Sequence, residues 1–134
     1  MNEILIGNAD NSFSIRFYNF ERSVSVGYFQ LNLELVSCIF KVSTVTSISA
    51  EELLLFKRNL EFMLHKQHIV FTLSPLGEFW SIEFLIKEKG TIQLNGYISD
   101  TQIPQSHLTF HNVISANRLS EIILQIENVM DNLR

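Results

Sequence analysis

Histidine, cysteine and carboxylate side chains are the groups of this chain most easily turned to chemistry, so their spacing is weighed first. His65 and His68 are three residues apart, and His107 and His111 are four apart. On a helix the second spacing would bring two imidazoles to one zinc ion. Here it falls on an alternating stretch around Leu108 and Phe110 that reads as strand, where four residues span about 13 Å, too far for one ion. Neither pair has a cysteine or carboxylate at ligand spacing, so no metal or other cofactor is expected. The single cysteine, Cys38, lies in an apolar stretch and reads as a small core residue. No serine stands in a Gly-x-Ser-x-Gly elbow. The glycines are scattered singly and form no phosphate-cradling loop. Glu51, Glu52 and Glu61 fall in or beside a predicted helix, where the first two complement its dipole. The pattern names no reaction, and a non-enzymatic protein is expected.

The elements that position these residues follow from periodicity. The stretch Ile48–Lys66 is the strongest helix signal. Ser49 caps it, Glu52 three residues on completes a capping box, and Ile48 can staple onto Leu53. Leu53, Phe56, Leu60, Met63 and Leu64 then share one stripe at helical spacing. Before this helix the reading is all strand. Residues 3–7 form a short strand, and Phe13, Ile15 and Phe17 alternate with polar residues across 12–18. Phe29, Leu31, Leu33 and Leu35 alternate likewise, and a change of phase near Val36-Ser37 predicts a break or bulge ahead of a further strand. After the helix come strands at 69–73 and 79–87, with Ser74-Pro75-Leu76-Gly77 as a turn between them. Glu88-Lys89-Gly90 is a hairpin loop, and the return strand over 91–99 contains Gly96 at a predicted bulge. A loop at 100–106, a short strand at Leu108 and Phe110, and a second amphipathic helix over 116–133 complete the chain. Leu119, Ile122, Ile123, Ile126, Val129, Met130 and Leu133 form that helix's apolar stripe. About seven strands and two helices in hairpin order predict a single α+β domain over residues 1–134, built on antiparallel sheet. No internal repeat is evident.

Composition narrows the function classes. A chain of 134 residues buries about two-thirds of its unfolded surface and folds without a disulfide or metal. One cysteine fits a reducing compartment, and the N-terminal residues lack the features of a signal peptide, so a cytoplasmic location is expected. No apolar run reaches the ~20 residues of a membrane span. A net charge of −4, with no basic patch, argues against nucleic acid. The remaining candidates are contact residues. Leu55 and Phe62, seven apart, lie nearly opposite the main stripe of the first helix and are either covered by a second layer or exposed to a partner. Trp80 and Tyr97 read equally as core or as anchors, and Glu83 and Asp100 as rim charges.

The order of elements carries a resemblance. A strand feeds the helix Ser-Ala-Glu-Glu-Leu-Leu-Leu-Phe-Lys-Arg-Asn-Leu-Glu-Phe-Met-Leu; then come Phe-Thr-Leu-Ser-Pro-Leu-Gly-Glu-Phe-Trp-Ser-Ile-Glu-Phe-Leu-Ile, Asn-Gly-Tyr-Ile-Ser-Asp, Leu-Thr-Phe and the terminal helix. Over roughly residues 27–133 this resembles the WapI family of immunity proteins, small cytoplasmic proteins that accompany bacterial contact-dependent or polymorphic toxins. The resemblance implies a monomer or weak homodimer that neutralises a cognate toxin domain by tight association, and it supplies no catalytic residues. Two alternatives stand beside it: a small-ligand-binding protein or enzyme with a pocket between sheet and helix, and a subunit that dimerises through Leu55 and Phe62.

Overall fold

The computed structural model describes residues 2–8, 12–24, 26–65, 70–75, 79–88, 90–99 and 107–133. The chain order is β1 (Glu3–Gly7), β2 (Phe13–Arg22), β3 (Tyr28–Ser37), β4 (Phe40–Ser49), α1 (Ala50–Leu64), β5 (Val70–Leu73), β6 (Trp80–Glu88), β7 (Thr91–Ser99), β8 (His107–Ser115), a 3-10 turn (Ala116–Arg118) and α2 (Leu119–Asn132). The strands make two antiparallel four-stranded sheets, β1-β2-β3-β4 and β5-β6-β7-β8, and with the helices an α+β fold. The described residues thus hold eight strands where sequence periodicity predicts about seven.

Each strand pattern explains which side chains meet. Ile4, Ile6, Phe13, Ile15, Phe17, Leu31, Leu33 and Leu35 point inward from the first sheet, and Trp80, Ile82, Phe84, Ile92, Leu94 and Ile98 from the second, all in one buried cluster. Rings bridge the sheets directly, with Phe13 5.9 Å from Phe110 and Phe17 5.8 Å from Trp80. The helices close what the sheets leave open. Phe56 of α1 lies 5.5 Å from Phe84 and 6.1 Å from Phe71, on the inner side of the second sheet. α2 packs along β1 of the first sheet, and Gln125 Oε1 accepts the Leu5 N–H at 2.8 Å. Each helix therefore covers the sheet of the other half, and the two helices pack on each other.

The two halves follow the same plan in detail, although no repeat is visible in the sequence. In each, a positive-φ glycine (Gly27 at +83°, Gly90 at +88°) opens the third strand. The residue after the fourth strand donates its N–H to that glycine's carbonyl at 2.9 Å, Ala50 to Gly27 and Ala116 to Gly90. A serine precedes it as cap, Ser49 or Ser115. Buried Leu53, Phe56, Leu60 and Met63 stand 4, 7, 11 and 14 residues after Ser49, and buried Leu119, Ile122, Ile126 and Val129 stand at the same offsets after Ser115. These offsets follow one face of a helix through almost three turns.

Several local expectations are corrected. The capping box is present, with Glu52 N to Ser49 Oγ and Ser49 N to Glu52 Oε1 both at 3.0 Å. Leu64, however, leaves the buried stripe and is 38% exposed. The second helix begins as a 3-10 turn, and α proper starts at Leu119. The last strand is a nine-residue edge strand rather than a short one. The phase change near Val36-Ser37 does divide two strands, and the break is a two-residue hairpin loop: β3 runs on to Ser37, which pairs with Phe40. Cys38 is the first loop residue. It is exposed, not core, with φ +56°, while Ile39 keeps a negative φ. That is the pattern of a type II′ loop, whose first position suits glycine. The pairing of β6 with β7 is continuous through Gly96, and the irregularity lies at Ile86/Glu88. Gly96 serves another purpose. A Cβ there would meet the Ser81 carbonyl oxygen and stand 2.6 Å from Phe110 Cζ, so the missing side chain is what admits the Phe110 ring. Ile69, the Leu76-Gly77 half of the predicted turn and the loop 100–106 lie outside the described residues.

Two substitutions check this. Gly96→Ala should destabilise by about 1–3 kcal/mol through overpacking, read from the denaturant midpoint. Cys38→Gly should raise stability by about 1 kcal/mol, because relief of a strained φ outweighs the added freedom of the unfolded chain.

Candidate protein-binding surfaces

The candidate contact residues do not converge. On α1, Leu55 is 57% and Phe62 40% exposed, on the ridge turned away from Phe56 and the second sheet. Exposed Glu51, Arg58 and His65 border that ridge. Glu83 and Tyr97 alternate with buried Ile82, Phe84 and Ile98, which puts them on the outer face of the second sheet, across the molecule from α1. Trp80 belongs to neither surface. It is fully buried, and its Nε1–H donates to Thr46 Oγ1 at 2.8 Å, joining β6 to β4 through the core. It is a structural tie and not an anchor. Asp100 lies outside the described residues.

The outer face of the second sheet carries a polar lattice, with exposed Val70 and Val113 beside it. Gln93 Nε2 donates to Asn95 Oδ1 at 3.1 Å, and Asn95 Nδ2 to Glu83 Oε1 at 3.2 Å. The Tyr97 ring stacks on His107 at 5.2 Å, and His107 Nδ1 lies 2.6 Å from Ser99 Oγ. These bonds hold Glu83 and Tyr97 in place. On the outer face of the first sheet, Arg16 bonds both carboxylate oxygens of Glu3, Nε to Oε1 at 2.6 Å, and its guanidinium lies 4.0 Å over the Tyr18 ring. The bond to Glu3 raises the Arg16 pKa further above its ordinary value.

His107 and His111 both lie on the strand β8, as their sequence context predicts, and His65 sits at the end of α1. Among the described residues no group of three or more His, Cys, Asp or Glu side chains is placed to hold a metal ion. Among the same residues, no helix is long and apolar enough to cross a membrane.

Two clefts adjoin β4. One, of about 480 Å³, is lined by Ser23, Tyr28, Gln30, Val45, Thr46, Ser47 and Phe79. The other, of about 310 Å³, is lined by Val42, Ser43, Thr44 and, across from them, Ile98, Ser99, His107 and Leu108. Together they take up six consecutive residues of one strand. Neither lies between sheet and helix, where a ligand pocket is the alternative expectation from sequence. Nothing in the sequence marked this edge, because strand order is not written in local periodicity.

Comparison with known proteins places the fold. No family model matches the chain, and no curated protein matches it. Among solved structures, that of Trypanosoma bruciei MRP1/MRP2 is similar, with a TM-score of 0.54 at 7% identity over 97% of this chain and 83% of that one. The structure of the plant transcriptional regulator PBF-2 matches at a TM-score of 0.45 and 10% identity, over 98% and 80% of the two chains. At such identities the first likeness is one of fold alone.

The Trp80 tie is open to test. Trp80→Phe removes the donor and leaves the Thr46 hydroxyl buried without it, which should cost about 1–3 kcal/mol. Adding Thr46→Val, which removes the stranded hydroxyl, should recover part of that loss in melts followed by circular dichroism.

Proposed function

We propose that this protein is a non-enzymatic, cytoplasmic binding protein of the immunity type, which neutralises a cognate toxin domain by covering it. The observation that supports the reading is an asymmetry within the repeated plan. Leu55 and Phe62 stand 6 and 13 residues after the cap Ser49, and the same offsets after Ser115 hold Glu121 and Asn128. The two helices share four buried offsets, to which α2 adds Ile123, but not their outer ridge. Between those positions the α2 ridge carries exposed Leu124, where the α1 ridge has Arg58, so α2 sets one apolar residue between two polar ones and α1 one charge between a leucine and a phenylalanine. Leu55 is more than half exposed and Phe62 partly so. An apolar pair bordered by charge is the composition of a contact centre with a polar rim. The resemblance in element order over residues 27–133 supplies the identity of the partner class. A net charge of −4 suits a basic toxin domain and would raise the rate of encounter.

Glu83 and Tyr97 drop out of this interface. A standard contact covers roughly 800 Å² on each partner, and one centred on α1 does not extend to the opposite face of the molecule.

The test is co-expression with the C-terminal domain of the toxin encoded beside it. A stable complex with a Kd of about 1 nM or below and protection of sensitive cells are expected, since an enzyme toxin kills in few copies. Leu55→Glu should weaken the complex at least tenfold while leaving the melting temperature nearly unchanged, and Phe62→Glu should weaken it likewise. No complex and no protection would sink the immunity reading. A complex indifferent to both substitutions would move the interface elsewhere.

A further inference from the structure

We propose that the free edge of β4 pairs with β4 of a second copy about a twofold axis at Val45, joining the two first sheets into one of eight strands. This stands independently of the toxin-binding reading, which uses α1.

The backbone directions come first. In a two-residue hairpin the flanking pair, Ser37 and Phe40, is hydrogen-bonded, and bonded pairs then recur at every second residue. Ala50 N–H bonding Gly27 at the far end of the ladder keeps that phase. Even-numbered residues of β4 therefore bond β3, and Lys41, Ser43, Val45 and Ser47 turn their N–H and C=O groups outward. Ser49 follows suit: its outward N–H goes to Glu52. Among the described residues, the Val45 carbonyl accepts a long 3.5 Å bond from Thr44 Oγ1.

Among the described residues, this edge from Val42 to Ile48 has no bulge, proline, charge or covering element, the protections natural sheets use, and its charge, Lys41, stands just outside that stretch. Its pairing with β3 is unbroken over ten residues. The β1 edge, by contrast, is covered by α2 and Gln125, and β5 is four residues long; β8 is a second long edge, without the symmetric sequence of β4. Among the described residues, the two clefts leave β4 open from Val42 to Ser47. Half-buried Phe79 lines the first of them.

The occupant is indicated by the sequence of the edge. Val42-Ser43-Thr44-Val45-Thr46-Ser47-Ile48 reads nearly the same in both directions about Val45. Antiparallel pairing about a twofold at Val45 sets Thr44 opposite Thr46 of the second copy, Ser43 opposite Ser47 and Val42 opposite Ile48. Threonine pairs and aliphatic pairs are favourable cross-strand neighbours. No charged residue lies between Val42 and Ile48, so no like charges oppose one another. Val45 and Ser43 carry outward backbone groups, so Val45–Val45 and Ser43–Ser47 become the hydrogen-bonded pairs, and the register and the free groups agree. A heterologous strand would have no need of this symmetry.

Seven paired residues bury less than a standard interface, so the dimer should be concentration-dependent, with a Kd on the order of micromolar or weaker. Sedimentation equilibrium should show a monomer–dimer equilibrium, and Val45→Lys should abolish it without lowering the melting temperature, because Val45 is 53% exposed. Register is read by cysteine pairing in a Cys38→Ser background. Val45→Cys should form a disulfide-linked homodimer on mild oxidation, because Cα atoms of a bonded antiparallel pair stand about 5.5 Å apart. Ser43→Cys alone should not, its two copies being about 13 Å apart, whereas a mixture of Ser43→Cys and Ser47→Cys should cross-link. A monomer up to about 1 mM would overturn the proposal by mass action. So would a dimer that survives Val45→Lys, or equal cross-linking of Ser43→Cys and Val45→Cys.

Discussion

The exchange of helices between the two sheets is the constraint on which the rest of this structure depends. Its cause is local. Ser49 ends β4 and Ala50 begins α1, and Ser115 ends β8 as Ala116 begins the turn into α2. No loop intervenes, so each helix departs from a sheet corner and has no slack to fold back flat on its own strands. It lies instead against the neighbouring half: α1 through Phe56 on Phe71 and Phe84, α2 along β1. Neither half closes its own core, and the Trp80–Thr46 hydrogen bond links them again at the centre. The Lys57–Glu127 ion pair at 3.4 Å adds a partly exposed tie between the helices, of the kind that contributes little by itself.

The corner junctions set more than direction. A left-handed glycine, a capping serine and an alanine N–H bonded back to the glycine fix where each helix starts. Fixing the start fixes the phase, and the phase decides which offsets reach the core. That is why such different sequences as Ala50–Leu64 and Leu119–Asn132 bury the same four offsets from their caps. With four inner offsets matched in this way, differences between the outer faces become informative, and the Leu55–Arg58–Phe62 ridge on α1 contrasts with Glu121–Leu124–Asn128 on α2.

Much of this was legible in the sequence where a rule acts within one element. The capping box at Ser49–Glu52, the alternation of β2, β3, β6 and β7, and the left-handed Gly90 follow from local chemistry. The misreadings came where the deciding partner is distant in sequence. Cys38 looks like core from its neighbours, yet it is a turn residue because Ser37 and Phe40 pair across it. Gly96 looks like a bulge until Phe110, fourteen residues on, is seen to fill its space. Trp80 is ambiguous until Thr46 appears beside it. The repeated plan was invisible because it resides in offsets and backbone bonds, with almost no residue identity. Of the candidate surface, α1's ridge was readable from helical spacing, whereas the open β4 edge required the strand order.

The interlocked core is tested most directly by following both sheets through unfolding in one variant. Phe56 belongs to the first half of the chain but packs on the second sheet, and Phe56→Ala should cost about 3–5 kcal/mol. In urea, Trp80 fluorescence and far-ultraviolet circular dichroism should give coincident single transitions, both shifted equally by the substitution. Transitions that separate, or a shift confined to one probe, would show two independently stable halves and contradict the account.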